Sequence, residues 1–401
     1  MKLEVLHQLG FRYQWNFQSW EHDHTADGAI FAPRYMERAV IDELEPRDVE
    51  PSIFDPQFFL PATPKGKLAT YEFFPDVVSG GFSTDEFSSS DGMDESSALS
   101  SARGCVAFQV AKGFRYLIIP TRYLEGLPGD LIERQTRLFV EPFLKAVDQH
   151  LHHKPVLLQL ILNDLMLKDK EYRDDLLNWV TGITDLAGVY LIVSPSKRNK
   201  QLKDMELLYA ALQFIWGLSS NAMEVVVGYT NTEALLYSLA SPKAVTIGCY
   251  ENMRMFNIRT FQEDDDSEPR GPSPRLYVSR LLQWINANYI PFIQDDLKDD
   301  EQFFDVNEYQ ALMFKPTYNW HFTKPELYKH GMLEFSRQLR HVGEVEDRER
   351  FHRLSAAVNT AREWYARFEE AGIVFDPESD GSHLPPWLTV ANRFAKDRGW
   401  R

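Results

Sequence analysis

The sequence predicts an α/β chain: a (β/α)8 TIM barrel with an aromatic N-terminal cap, long loops after strands 2 and 7, and a C-terminal helical appendage. Two observations carry this. The first is a set of eight short apolar runs, at residues 29–32, 58–60, 115–119, 156–162, 189–193, 224–227, 244–247 and 275–278, seven of them followed at once by a small, polar or charged turn. The second is the helix-like stretch between most of them, since strands alternating with helices make a parallel sheet wrapped by helices. Eight such units in about 250 residues fit one closed barrel, which leaves part of the 401 residues for an appendage.

In chain order, residues 1–28 carry Phe11, Tyr13, Trp15, Phe17 and Trp20, expected to lie across the barrel as packing. The second run is followed by Thr63-Pro-Lys-Gly-Lys67 and another apolar stretch at 71–74. The Ser-, Gly- and Asp-rich residues 79–97 cannot bury a core and read as a mobile loop, a lid in form. A helix over about 97–112 feeds the third strand, Asp130 caps the next helix, and residues 204–216 have helical spacing. Thr230-Asn-Thr-Glu233 matches a capping box. The seventh unit ends in a second long acidic loop, 262–274. Beyond about residue 300 strand signals stop, and residues 325–341, 344–371 and a segment after Pro385-Pro386 read as helices. The expected organisation is a capped barrel over 1–299 and a helical appendage over 300–401.

With 44% hydrophobic and 25% charged residues the composition is that of a globular protein. A net charge of −16 argues against extended nucleic acid and anionic membrane, which would be repelled at long range. Two cysteines, Cys105 and Cys249, cannot form a disulfide framework or a four-thiolate zinc site and point to a reducing compartment. The N-terminus shows no apolar signal region, and no run of about 18 apolar residues occurs. A cytoplasmic protein is expected.

In such barrels the loops after the strands build the active site, so the residues just past the runs are the candidates. They are Arg34, Thr63, Arg122, Tyr123, Asn163, Asp164, Ser194, Ser196, Tyr229, Asn231, Glu251, Asn252, Arg254 and Arg280. None is a histidine, which argues against a catalytic zinc, and no metal or cofactor is assigned; His152 and His153 fall at the opposite end. Asp164 and Glu251 are the candidate catalytic pair, because two carboxyl groups about 5 to 9 Å apart can cleave or exchange a glycosidic bond. Asp164 could equally cap the next helix. Arg34, Arg122, Arg254 and Arg280 would clamp a carboxylate or phosphate, or else pair with the chain's own acids. Tyr123 and Tyr229 would stack on a sugar or base, with Asn163, Asn231 and Asn252 beside them. Residues 197–203 are locally basic, fit for a phosphate or for solvent.

Ser79-Gly-Gly-Phe82, the run Gly228-Tyr-Thr-Asn-Thr-Glu-Ala-Leu-Leu236, and Gly248-Cys249 with Asn252 and Arg254 resemble motifs of the tRNA-guanine transglycosylases, about a quarter of the chain. The resemblance implies a (β/α)8 barrel that exchanges a base at an N-glycosidic bond. The family's two aspartates fall at Val78 and Gly248 here, and its zinc site of three cysteines and a histidine cannot be built from two cysteines. If the kinship holds, base exchange is lost or carried by other carboxylates.

Three functions follow from these residues. The first is a hydrolase or transferase acting on a glycosidic or N-glycosidic bond, with a small anionic or nucleotide-like ligand. The second is an inactive barrel serving as an interaction subunit through its charged C-terminal helices. The third is a phosphate sensor or lyase using the arginines, for which Arg270-Gly-Pro-Ser273 is the one glycine-bearing cradle.

Overall fold

The first barrel strand, β1 (Glu4–Gln8), lies inside the stretch expected to form only a cap. The structure, a computed structural model, describes residues 2–60, 66–74, 95–150, 154–197, 200–262, 271–297 and 303–401. The remaining barrel strands are β2 (Gly28–Phe31), β3 (Ile53–Phe54), β4 (Leu117–Ile119), β5 (Val156–Asn163), β6 (Gly188–Ser194), β7 (Glu224–Gly228) and β8 (Ala244–Gly248). Their order is β3-β2-β1-β8-β7-β6-β5-β4, all pairs parallel. Flanking helices complete a nearly closed (β/α)8 barrel. The β3/β4 seam lacks a ladder, yet Arg115 N donates to Ser52 O at 3.0 Å and Tyr123 N to Phe59 O at 2.9 Å.

Two expectations are corrected. Residues 275–278 are not the eighth barrel strand: they form β9 (Arg275–Val278), antiparallel to β10 (Gln283–Asn286) in a separate two-stranded sheet. The runs at 29–32, 115–119, 156–162, 189–193, 224–227 and 244–247 each stand one strand later in the barrel than their place in the sequence pattern. β1 shows no apolar run because Glu4, His7 and Gln8 interrupt it, yet both of its faces are covered. His7 Nε2 meets Thr25 Oγ1 at 3.0 Å on the outer face, and Gln8 receives the Tyr190 hydroxyl inside the barrel. The second correction is β3, which is Ile53–Phe54, before the run at 58–60.

The aromatic N-terminal segment forms a helix, Tyr13–Asp23, with Phe17 and Trp20 packed on the core. The loops at 79–97 and 262–274 lie largely outside the described residues. Helix Met205–Ser220 starts at Asp204, whose carboxylate accepts from Leu207 N at 3.0 Å, a cap that satisfies an otherwise open helix donor.

The C-terminal helices wrap one flank of the barrel. Pro325–Gly343 packs on β1, β9 and helix Tyr13–Asp23; Asp347–Glu370 and Leu384–Asp397 pack together, the latter also on Met205–Ser220. Fully buried Arg350 ties them down, donating to Ser238 O at 3.1 Å, Gly343 O at 3.2 Å and Val345 O at 2.8 Å. Among the described residues no helix is long and apolar enough to cross a membrane.

Candidate functional site

After β8 the chain makes a short helix, Glu251–Arg254, and then falls back over the barrel axis. Phe256, Ile258 and Phe261 bury themselves there with Met253, in one cluster with the inward side chains of the strands. Phe59 meets Phe261 and Phe256 edge-on at 4.7 and 5.1 Å, and Tyr229 meets Phe256 at 5.4 Å. Edge-to-face rings of this kind pack tightly, so the centre of the mouth is filled by apolar side chains.

Most polar groups on the axis bond to one another, Gln8 Nε2 being left without a partner. Asp55, at the exit of β3, accepts from Gln159 Nε2 at 2.7 Å and Gln57 N at 2.9 Å, and the Tyr190 hydroxyl donates to it at 3.4 Å. Burial pushes the Asp55 carboxyl up to about 7, outweighing those bonds. Two glycines make the plug possible. A Cβ at Gly228 would meet the Tyr190 ring at 2.5 Å, and one at Gly248 would meet Met253 at 2.5 Å. An aspartate at 248 thus has no room beneath this plug.

Off the axis, the loops after β6 and β8 and the C-terminal segment around Pro377 line a cavity of about 470 Å³. It is walled by Lys200, Glu251, Asn252, Asn257, Thr260 and Glu378. A narrower chamber shares Lys200 and Glu251 with it and adds Asn231, Arg254, Arg275 and Trp284. Arg254 is 7% exposed, and its guanidinium lies 3.8 Å from the Trp284 ring. Neither its Nε nor its Nη1 has a hydrogen-bond partner. Burial lowers the Arg254 pKa, with Glu251 acting against the fall.

Lys200 Nζ stands 3.0 Å from Glu251 and 2.8 Å from Glu378. Arg275 donates to Glu378 Oε2 at 2.5 Å, while its Nε lacks a hydrogen bond and lies 3.9 Å from Glu251. Burial would raise the Glu251 pKa, but Arg254, Lys200 and Arg275 together hold its carboxyl below the usual range. Three cations thus face two carboxylates. The most deeply buried cation has open donors, an arrangement that is costly until an anion fills it.

Of the residues singled out in the sequence, Glu251, Asn231, Asn252 and Arg254 meet in this cleft. Asp164 does not line it: its carboxylate accepts from the backbone N and hydroxyl of Ser196, both at 2.7 Å. Tyr123, Asn163, Ser194 and Ser196 line a second cavity of about 510 Å³ on the other side of the plug. There the Asn163 side chain caps helix Asp164–Lys168 and donates to Gly126 O at 3.0 Å. Arg122 is a strut, with Nη1 donating to Phe58 O at 2.6 Å and Leu60 O at 3.1 Å. Tyr229 belongs to the plug. Arg34 is half-buried at the exit of β2, its backbone N donating to Gln57. Arg280 is exposed in the β9–β10 turn and so stands at no barrel strand's end. Thr63 and Ser79-Gly-Gly-Phe82 lie outside the described residues.

Sequence reasoning missed Arg275, Glu378 and Asp55. Lys200 was legible only as part of a basic segment. Among the described residues the one group of metal-ligand spacing, His22, Asp23 and Glu308, is partly exposed and does not line the cleft. No family model, curated protein or solved structure matches this chain.

Proposed function

We propose that this protein binds a small anionic ligand in the cleft at Lys200, Arg254 and Arg275, and carries out no chemistry on the barrel axis. The observation behind this is Arg254: a buried guanidinium with two donors that lack a partner, in the wall of a chamber that also holds Lys200 and Arg275. A carboxylate or phosphate accepts from a guanidinium through charge-assisted bonds stronger than neutral ones. In a chain of net charge −16, a concentrated positive chamber is also the feature that would draw an anion in.

Handling of a glycosidic or N-glycosidic bond by Asp164 and Glu251 lacks comparable support, because Asp164 is bonded to Ser196 outside the cleft that holds Glu251. The filled mouth favours a barrel that binds without turnover, which is nearer to the phosphate-sensor reading than to the interaction subunit. Two buried free thiols agree with a cytoplasmic setting.

Calorimetric titration with inorganic phosphate tests the proposal. The native protein is expected to bind saturably, and Arg254→Gln to bind at least about tenfold more weakly, a loss of about 1.4 kcal/mol or more. Equal affinity in the two proteins contradicts it.

A further inference from the structure

Glu378 occupies the place a ligand's anion would take. Its carboxylate lies 2.8 Å from Lys200 Nζ and 2.5 Å from Arg275 Nη2, so two of the three cations already hold an internal anion. It is held differently from Glu251, which sits on the helix leaving β8. The Glu378 side chain is 53% exposed, and its backbone is held independently: Arg275 Nη1 donates to its carbonyl at 3.0 Å, and its N donates to Asp376 at 2.8 Å. The carboxylate can therefore swing out while the segment stays in place.

The charge count then selects the ligand. Lys200, Arg254 and Arg275 carry three positive charges against one each on Glu251 and Glu378; Lys203 on the same wall is balanced by Asp380 at 3.5 Å, and burial pushes the carboxyl of Glu233 beside Arg254 up to about 7. If Glu378 leaves, two positive charges stay uncompensated, which a dianion matches and a monoanion does not. The outer chamber of about 470 Å³ has the size of a small-molecule site, with Asn252, Asn257 and Thr260 offering amide and hydroxyl groups to a polar body.

We infer that the ligand is a phosphomonoester, whose dianionic phosphate enters by displacing the Glu378 carboxylate from Lys200 and Arg275 onto these cations and Arg254. This rests on the anion-binding reading above. No covalent step is involved: one ion pair is exchanged for another, and the released carboxylate passes into water.

The probes are ribose 5-phosphate as a phosphomonoester and acetate as a monoanion, titrated calorimetrically into the full chain. The native protein is expected to bind ribose 5-phosphate at least about tenfold tighter than acetate, a preference that shrinks below about pH 6 as the phosphate takes up its second proton. Glu378→Gln is expected to tighten ribose 5-phosphate severalfold by removing the competitor. Glu370→Gln removes one negative charge at the exposed end of helix Asp347–Glu370, away from the cleft, and is expected to leave the affinity unchanged.

Unchanged or weaker binding in Glu378→Gln, equal affinity for acetate, or equal tightening in Glu370→Gln overturns the inference. If Arg254→Gln still abolishes binding in those cases, the anion cleft stands and only the ligand class and displacement fall. If Arg254→Gln has no effect, the cleft reading itself falls.

Discussion

Two regions at the carboxyl ends of the barrel strands treat polar groups in opposite ways. On the axis, Asp55, Gln57, Gln159 and Tyr190 bond among themselves beneath Phe59, Phe256 and Phe261. In the cleft beside them, Lys200, Arg254 and Arg275 outnumber Glu251 and Glu378, and three guanidinium nitrogens have no hydrogen-bond partner. Among the described residues on the axis only the neutral Gln8 Nε2 lacks a partner, whereas in the cleft the unpartnered donors belong to buried cations, whose desolvation costs far more and which an anion would offset. The strand exits define the neighbourhood of a barrel's site, and the hydrogen-bond inventory within that neighbourhood says which part of it is open.

The largest effect should come from breaking the plug. Phe256→Ala removes a ring that touches Phe59, Tyr123, Tyr229 and Phe261. It is expected to destabilise the protein by about 3–5 kcal/mol in denaturant unfolding while leaving phosphate affinity within about twofold. A matching loss of phosphate binding would show that the two regions are not separate.

The next test separates them by pH. Folded Asp55 keeps its proton up to about pH 7, whereas its ordinary carboxyl value is 3.8. Between those values the folded state binds a proton the unfolded chain has released, so Asp55 makes stability fall as pH rises. Asp55→Asn keeps the shape without the charge. Its melting temperature relative to the native protein is therefore expected to be higher at about pH 8 than at about pH 5, with phosphate binding unchanged at both. A difference that does not vary with pH contradicts a protonated Asp55.

The later barrel was legible because its strands are continuous apolar runs: β5 to β8 contain Val156–Asn163 and Gly188–Ser194, buried throughout. β1 was not, since Glu4, His7 and Gln8 hide a strand whose polar side chains find partners only after folding. β9 misled for the opposite reason. Arg275–Val278 looks like a barrel strand locally, and its hairpin turns through Leu282 at φ 51 with no glycine to announce it. In the site, Glu251 and Arg254 were visible from their place after a strand. Lys200, Arg275 and Glu378 come from three distant parts of the chain, and no local pattern brings them together. The separation of Asp164 from Glu251 is likewise a tertiary fact, set by the Ser196 bonds.

A crystal structure determined with millimolar phosphate shows the plug and the cleft in one map. A phosphate is expected within hydrogen-bond distance of Arg254 Nε and Nη1, with Phe256 and Phe261 unmoved over Asp55. A phosphate on the barrel axis beside Asp55 with the plug displaced, or an Arg254 side chain turned out to solvent, would contradict anion binding in a cleft apart from the plug.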